Sequence, residues 1–295
     1  MKLTTIADLQ TVQDIRPYLD LVQGLGDHYL RFIEQDLEGY EYTVSAGAER
    51  DRKPGIHASE ISGCARRLVY GISGIERKPD PKATDVNMRM RFRIGTAVHA
   101  MLQDDLIRMC KSGPYTGPDG TQYTLTFEPE TRITSETPGP AADYGVESSS
   151  DGVFTFWLGS LPVLRLLLEI KTSSKDEYDK LTQPKPEHTE QTHLYMACLD
   201  IPLTWLWYYN KSNSNFTKPY PPFLFRFSEK LWSGLEARFV LNTHRAERNE
   251  LPPRTESIAC RWCPFGYTCG PTILQKGGAP VSSAISTRQL GMRKR

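Results

Sequence analysis

Two apolar runs joined by a short turn-forming segment constrain the fold of this chain more than any other feature. Residues 153–158 and 163–170 are rich in leucine, valine and aromatic residues, and Gly-Ser-Leu-Pro at 159–162 separates them. This pattern predicts a β-hairpin of largely buried strands. If the turn is centred on the separating segment, Asp151 lies directly opposite Glu169 on the neighbouring strand.

Helical and strand-like segments alternate along the rest of the chain, which favours an α/β fold. Apolar spacing of three and four residues predicts two or three helices within residues 1–50, with Cys64 at the start of a short helix after them. Residues 111–150 are predicted to be mostly loop around one strand, 123–127. The remaining predicted elements are helices at about 85–110, 187–199 and 228–248 and a strand at 203–209.

Composition and charge exclude several classes of protein. The 295 residues include 36 basic and 35 acidic side chains, so bulk charge does not favour coating of nucleic acid. The longest apolar stretches are much shorter than the roughly 20 residues of a membrane helix. No pattern typical of a secretion signal is visible at the start. We therefore expect no membrane association, reduced cysteines, and a cytoplasmic or nucleoid-associated protein, or a virion protein if a phage encodes it.

A carboxylate and a lysine end the second strand of the predicted hairpin. Glu169 and Lys171 are two residues apart and point to the same side, and Asp151 adds a second carboxylate. A divalent cation bound to carboxylates and to a substrate phosphate would offset their repulsion and activate water for phosphodiester hydrolysis. The alternative is an exposed ion pair at a strand end. Glu169 and Lys171 come at the end of a buried apolar strand, where charged groups need partners. Their position therefore favours a metal site over an exposed ion pair.

Three further polar residues have a spacing that suits the same site. Gln191 and Tyr195 are four residues apart on one face of a predicted helix, where both can position the lysine or contact a phosphate. His99 follows Gly95 on an earlier predicted helix, and its neutral imidazole is a possible metal ligand. Ordinary packing of each side chain is the alternative.

The ordered motifs Gly95-x3-His99, Asp151-Gly152, Glu169-Ile170-Lys171 and Gln191-x3-Tyr195 resemble the PD-(D/E)XK nucleases of the RecB-like branch. The resemblance implies an α/β, restriction-endonuclease-like core with a central mixed sheet flanked by helices, and an active enzyme that uses Mg²⁺ or Mn²⁺. The metal ligands that it implies are His99, Asp151, Glu169 and the main-chain carbonyl of Ile170. The catalytic residues that it implies are Asp151, Glu169, Lys171, Gln191 and Tyr195.

Three cysteines within residues 260–269 form a Cys-x2-Cys-x5-Cys pattern, a density typical of a metal site in a reduced protein. Zinc and an iron–sulfur cluster both use four such ligands, and the spacing does not separate them. Cys64 is our choice for the fourth ligand because it starts a predicted helix in polar surroundings. Cys110 is an alternative, whereas Cys198 lies on an apolar face and is expected to be buried.

One N-terminal cysteine combined with this C-terminal pattern, on either side of the nuclease motifs, looks like the Cas-four-type CRISPR-associated exonucleases and the AddB-type helicase–nuclease subunits. That resemblance implies a structural [4Fe–4S] cluster, with zinc as the alternative. The implied ligands are Cys64, Cys260, Cys263 and Cys269. The resemblance covers about residues 57–272, so that 1–56 form a helical N-terminal extension, 111–147 a loop-rich insertion and 273–295 a mobile basic tail.

DNA, single-stranded or at duplex ends, is the substrate that the resemblance implies, with exonucleolytic cleavage. The candidate phosphate contacts are Arg66, Arg67, Arg89, Arg91 and Arg93, and Tyr70 is a candidate for stacking on bases. One alternative is a non-catalytic DNA-end-binding or assembly subunit of a recombination, CRISPR-adaptation or virion complex, which would work with protein partners. The other is a zinc-stapled interaction module whose carboxylates are ordinary surface charges.

Overall fold

The computed structural model describes residues 2–36, 55–77, 86–211, 223–257, 260 and 263–269. The helices in these ranges are α1 (Ile6–Thr11), α2 (Arg16–Asp36), α3 (Ala65–Ile72), α4 (Val86–Ser112), α5 (Pro140–Tyr144), α6 (Lys175–Asp179), α7 (Pro186–Leu199), α8 (Glu229–Glu247) and α9 (Gly266–Cys269). The strands are β1 (Tyr115–Thr116), β2 (Gln122–Pro129), β3 (Arg132–Ile133), β4 (Ser148–Ser149), β5 (Gly152–Leu158), β6 (Leu161–Ser173), β7 (Leu203–Asn210) and β8 (Phe223–Arg226).

A mixed sheet forms the centre of the fold, with strand order β1-β2-β5-β6-β7-β8. All neighbours are antiparallel except β6 and β7, which are parallel and are joined through α6 and α7. A parallel pair needs such a crossover, because a tight turn cannot return the chain to the same end of the sheet. The expected α/β fold with a mixed sheet and flanking helices is therefore confirmed.

The predicted hairpin is β5–β6, and its register places Gly152 opposite Leu168 and Phe156 opposite Leu164. The turn is shorter than the predicted four residues, because Leu161 and the residue after it belong to β6. Gly159 adopts a left-handed conformation with φ of 61°, which glycine reaches without strain. A bulge after Phe156 absorbs the one-residue shift.

Successive residues of β6 contribute to cores on opposite faces of the sheet. Leu166 and Leu168 pack in a cluster that includes α2 and α4, whereas Leu167 packs in a cluster with α7 and α8. This double burial explains why the strand reads as a continuous apolar run. The N-terminal segment takes part in the first cluster through α2, and Leu3 pairs with Leu164.

Residues 111–150 contain more regular structure than the sequence predicts. The predicted strand is present as the longer β2, but β1, β3, β4 and α5 are additional elements. Strands of two residues are too short to show a periodicity in the sequence. Ile133 and Val146 are fully buried, so this segment is fixed beside the start of β5. Among the described helices, none is both long and apolar enough to cross a membrane.

Candidate active site

Asp151 lies between helix α4 and strand β6, immediately before β5 begins. Its Oδ2 accepts a hydrogen bond from the main-chain N–H of Ile170 at 2.6 Å, and its Oδ1 lies 3.0 Å from Nδ1 of His99. Glycine follows at position 152 because a Cβ there would lie 2.4 Å from the ring of Phe127. The close packing at Gly152 thus holds the carboxylate at the end of the strand pair.

Glu169, Lys171 and Gln191 form a triangle of hydrogen bonds between β6 and α7. Nζ of Lys171 donates to Oε1 of Glu169 at 2.5 Å and to Oε1 of Gln191 at 3.0 Å. Nε2 of Gln191 donates to Oε1 of Glu169 at 3.0 Å and to the hydroxyl of Tyr195 at 2.9 Å. The Tyr195 hydroxyl is also 3.2 Å from Oγ of Ser148. All four site residues predicted here therefore meet in one network.

Glu169 is buried, with 3% of its surface exposed, and among the described residues its Oε2 has no hydrogen-bond partner. Burial raises the pKa of Glu169 to about 7, since it outweighs the opposing effect of Lys171 and is reinforced by the charge of Asp151. A buried carboxylate oxygen without a partner is costly, and a bound cation would remove that cost. Burial also raises the pKa of Tyr195, so its hydroxyl stays protonated.

The imidazole of His99 interacts with the same carboxylates. Burial lowers the pKa of His99, but the hydrogen bond with Asp151 and the charges of Asp151 and Glu169 outweigh it and leave the pKa raised. The two carboxylates therefore favour a proton on the imidazole when no cation is present. A metal ion would compete with that proton, since only the neutral ring binds metals.

Two residues that the sequence analysis missed support Asp151. Nε2 of Gln103 donates to the main-chain oxygen of Asp151 at 2.8 Å and lies 3.4 Å from Oε1 of Glu130. Oγ of Ser149 donates to Oε2 of Glu130 at 3.3 Å. Gln103 follows His99 by four residues on α4, and this spacing is the signal that could have found it. Nothing in the sequence marks Glu130.

The types of donor suit a hard divalent cation such as Mg²⁺ or Mn²⁺, because Asp151, Glu169 and His99 influence one another's charge and one oxygen of Glu169 has no partner among the described residues. In the described part of the chain, no three His, Cys, Asp or Glu side chains are already arranged to share a metal ion. The hydrogen bond between His99 and Asp151 would have to open for both to bind one.

Two of the predicted cluster cysteines, Cys64 and Cys269, act electrostatically on a third, Cys263. Cys64 is the N-cap residue of α3. Burial raises the pKa of Cys263, and the charges of Cys269 and Cys64 raise it further. Sγ of Cys269 lies 3.7 Å from the guanidinium of Arg66. Sγ of Cys260 instead accepts from the N–H of residue 257 at 3.4 Å.

The two other cysteines lie in apolar surroundings. Cys198 is buried beside α8, as expected, and Cys110 packs against the α2–α4 core. Burial raises the pKa of both thiols to about 12.

A buried charge network joins the first cysteine to the C-terminal cysteine segment. Glu60, 2% exposed, pairs with Arg67 at 2.8 Å and with Arg77 at 2.6 Å. The guanidinium of Arg77 lies over the ring of Phe265, 5.2 Å from its centre. These residues hold α3 against the segment that carries Cys263 and Cys269.

The predicted DNA contacts divide into engaged and exposed residues. Arg66 donates to the carbonyl of residue 252 at 2.7 Å, and Arg67 pairs with Glu60, so both arginines have structural partners. Arg91 and Arg93 are exposed, whereas the side chain of Arg89 lies outside the described residues. The stacking prediction for Tyr70 is wrong, because its ring is 1% exposed and packs on Phe265.

Comparison with known proteins gives only distant similarity. No family model matches the chain, and no curated protein matches its sequence. Among solved structures, the crystal structure of SSO0001 has 14% sequence identity and a TM-score of 0.39, covering 83% of this chain and 95% of that one. The alkaline exonuclease LHK-Exo from Laribacter hongkongensis has 15% identity and a TM-score of 0.38, covering 67% and 90%. Its complex with dAMP gives 15% and 0.37, covering 66% and 89%. Neither identity nor TM-score is high enough to transfer an activity to this chain.

Proposed function

We propose that the protein is a metal-dependent DNA nuclease of the PD-(D/E)XK type, an exonuclease that hydrolyses phosphodiester bonds in single-stranded DNA or at DNA ends. The observation that carries the proposal is the buried carboxylate of Glu169, with one oxygen bound to Lys171 and the other without a partner among the described residues. A buried carboxylate oxygen without a partner lowers the stability of the fold. Its presence is explained if the carboxylate binds a cation beside a substrate phosphate.

The residues that would hold Mg²⁺ or Mn²⁺ are His99, Asp151, Glu169 and the carbonyl of Ile170. When bound, the ion would lower the pKa of a coordinated water and neutralise charge on a phosphate oxygen. The hydrogen bond from Ile170 to Asp151 fixes one carboxylate relative to β6. That bond supports the assignment, because it holds the two acidic side chains at the same strand end.

Lys171 is the catalytic lysine of this proposal. Its ammonium is held by Glu169 and Gln191, so that it can orient a water molecule or neutralise a non-bridging phosphate oxygen as the bond to phosphorus breaks. Gln191 and Tyr195 act by positioning, since their hydrogen bonds fix the lysine and the carboxylate together. An exposed ion pair at a strand end would not have these hydrogen bonds from Gln191 to both the lysine and the carboxylate.

Helix α4 offers a route for the DNA strand. Phe92 is 68% exposed, and the arginines on either side of it, Arg91 and Arg93, are exposed as well. At Gly95 the helix approaches β6 so closely that a Cβ would lie 3.3 Å from Oγ1 of Thr172, the residue after Lys171. Alternating arginine and aromatic residues beside the site suit the phosphates and unpaired bases of a single strand.

We further propose a [4Fe–4S] cluster, or zinc in its place, held by Cys64, Cys260, Cys263 and Cys269. The electrostatic effect of Cys64 and Cys269 on Cys263 and the buried ion pairs around Glu60 support a structural role. A cluster there would tie α3 to the C-terminal segment and close a long loop, which restricts the unfolded chain most.

The test is cleavage of end-labelled DNA, single- and double-stranded, linear and circular, with Mg²⁺, Mn²⁺ or EDTA. We expect metal-dependent cutting of linear DNA, lost in Glu169→Gln and retained in the control Glu177→Gln on the exposed helix α6. Circular substrates should resist. Binding of DNA ends without cleavage under any metal would instead support the non-catalytic end-binding subunit.

A further inference from the structure

His188 lies in the first turn of α7 and makes one side-chain hydrogen bond within the described residues. Its Nδ1 is 2.7 Å from the hydroxyl of Tyr208. That hydroxyl already accepts the main-chain N–H of Lys185 at 3.0 Å. The phenol proton has no other acceptor among the described residues, so we assign Nδ1 as its acceptor, which leaves the proton of the imidazole on Nε2.

The partner that fixes this tautomer is itself held rigidly. Tyr208 is 3% exposed and packs with Leu181 and Leu206, and its ring meets that of Phe223 edge to face. The rings of His188 and Tyr208 are 5.5 Å apart. The orientation of the imidazole is thereby set before any substrate binds.

The position of His188 relates it to the catalytic lysine. It precedes Gln191 by one helical turn, and Gln191 contacts Lys171. Tyr208 stands directly beside Lys171 in the register of β6 and β7. Nε2 makes no hydrogen bond with the described residues and is not among their fully buried atoms.

The imidazole is neutral at physiological pH. Burial and the positive charges of Lys171 and Lys185 lower the pKa of His188 to about 3. The acidic groups that act on its partner Tyr208, Glu187 and Glu169, do not reverse this. A neutral donor within the influence of two lysines suits a phosphate oxygen, because it adds a directed hydrogen bond to the attraction of the lysines.

We propose that Nε2–H of His188 binds a non-bridging oxygen of one phosphate of the DNA strand beside Lys171. This assignment rests on the proposed nuclease function and adds a phosphate-binding residue to it. His188 is then a substrate contact, and Tyr208 is the positioning residue that keeps its proton on Nε2.

Two measurements test the proposal without cleavage. In ¹⁵N-histidine spectra, His188 should be in the Nε2–H form and should not titrate above about pH 5. In EDTA, the affinity for a short single strand should fall about tenfold in His188→Asn and be largely retained in His188→Gln, whose amide reaches the position of Nε2. His244→Asn, at an exposed position of α8, is the matched control.

A substrate lacking the phosphate oxygen identifies the contact. Methylphosphonate linkages are placed in the strand one at a time. At one position we expect the replacement to weaken binding by the wild type, whereas His188→Asn should bind the modified and the unmodified strand equally. Tyr208→Phe should raise the pKa of His188 and reduce this discrimination. An Nδ1–H tautomer, or equal sensitivity of wild type and His188→Asn at every linkage, would overturn the assignment. Because binding is measured without metal, these outcomes stay separate from a failure of wild-type cleavage.

Discussion

The carboxylate of Asp151 accepts a hydrogen bond from the main-chain N–H of Ile170, 2.6 Å away on the neighbouring strand. This contact joins the residue before β5 to the strand that carries Glu169 and Lys171, on either side of Ile170. The acidic pair is thus fixed by backbone geometry, and the side chains that complete the site come from α4 and α7. Catalytic geometry held by strand ends and helix faces is more rigid than geometry held by loops.

Replacement of Lys171 should reduce cleavage without unfolding the protein. Lys171→Ala is expected to reduce cleavage by at least about a thousandfold, because no other ammonium contacts Glu169 within the described residues. Thermal unfolding and circular dichroism should show that the fold persists. The control is Lys175→Ala on α6, whose side chain is 66% exposed and which should cut like the wild type. Undiminished cleavage by Lys171→Ala would remove the lysine from the mechanism.

Neutralising Glu169 should abolish metal binding. It should also make the free energy of unfolding of the metal-free protein less dependent on pH. The folded pKa of about 7 lies above the ordinary 4.5, so the group's stabilising contribution is full below pH 4.5 and is lost as the pH rises through about 7. Glu169→Gln should lack this decline, measured by urea unfolding in EDTA at pH 5 and pH 8. Calorimetric titration with Mn²⁺ should give heat only for the wild type. A normal Mn²⁺ affinity in the variant would contradict the ligand assignment.

The buried Glu60 network should dominate acid unfolding of the segment around Cys64. Burial opposes ionisation, but hydrogen bonds and charges from Arg77 and Arg67 lower the pKa of Glu60 to about 2. Its stabilising contribution, about 3 kcal/mol from that shift, is present above pH 4.5 and is lost as the pH falls through about 2. Glu60→Gln should be destabilised at pH 7 and show a shallower loss of the free energy of unfolding between pH 4.5 and 2. Parallel curves for the two proteins would rule out this role.

Loss of one cysteine ligand should reveal the identity of the metal. Anaerobically purified wild type is expected to be brown if it holds [4Fe–4S] and colourless if it holds zinc. Cys263→Ala should lose the metal and unfold more readily, whereas Cys110→Ser should keep it. Metal analysis and the visible spectrum give the result. An unchanged metal content in Cys263→Ala would refute the ligand assignment.

Phe92 should contribute to binding of unpaired DNA. Stacking of one base contributes roughly 1–3 kcal/mol, so Phe92→Ala should weaken binding of a single strand about fivefold to a hundredfold in EDTA. Fluorescence anisotropy measures the affinity, and an abasic strand should bind both proteins more equally. Leu158→Ala, 48% exposed at the hairpin tip, is the matched control. Equal losses in both variants would point to a non-specific surface effect.

Local pattern is enough for much of this fold. The continuous apolar run of β6 and the turn at Gly159 can be recognised in the sequence. The four-residue spacing of Gln191 and Tyr195 follows from the helical period of about 3.6 residues. The hairpin register then puts Asp151 near Glu169, because pairing in an antiparallel ladder is fixed once the turn is known. Candidate site residues on adjoining strands and one helix can therefore be identified from the sequence.

Contacts between distant segments were decided by tertiary structure alone. Four features depend on which elements pack together: the oxygen of Glu169 without a partner in the described part of the chain, the support of Asp151 by Gln103, the burial of Tyr70 and the tautomer assigned to His188. A sequence determines which side of its own element a residue occupies. It does not by itself determine the neighbour opposite that side, because burial, unsatisfied polar atoms and pKa shifts depend on packing across the whole fold.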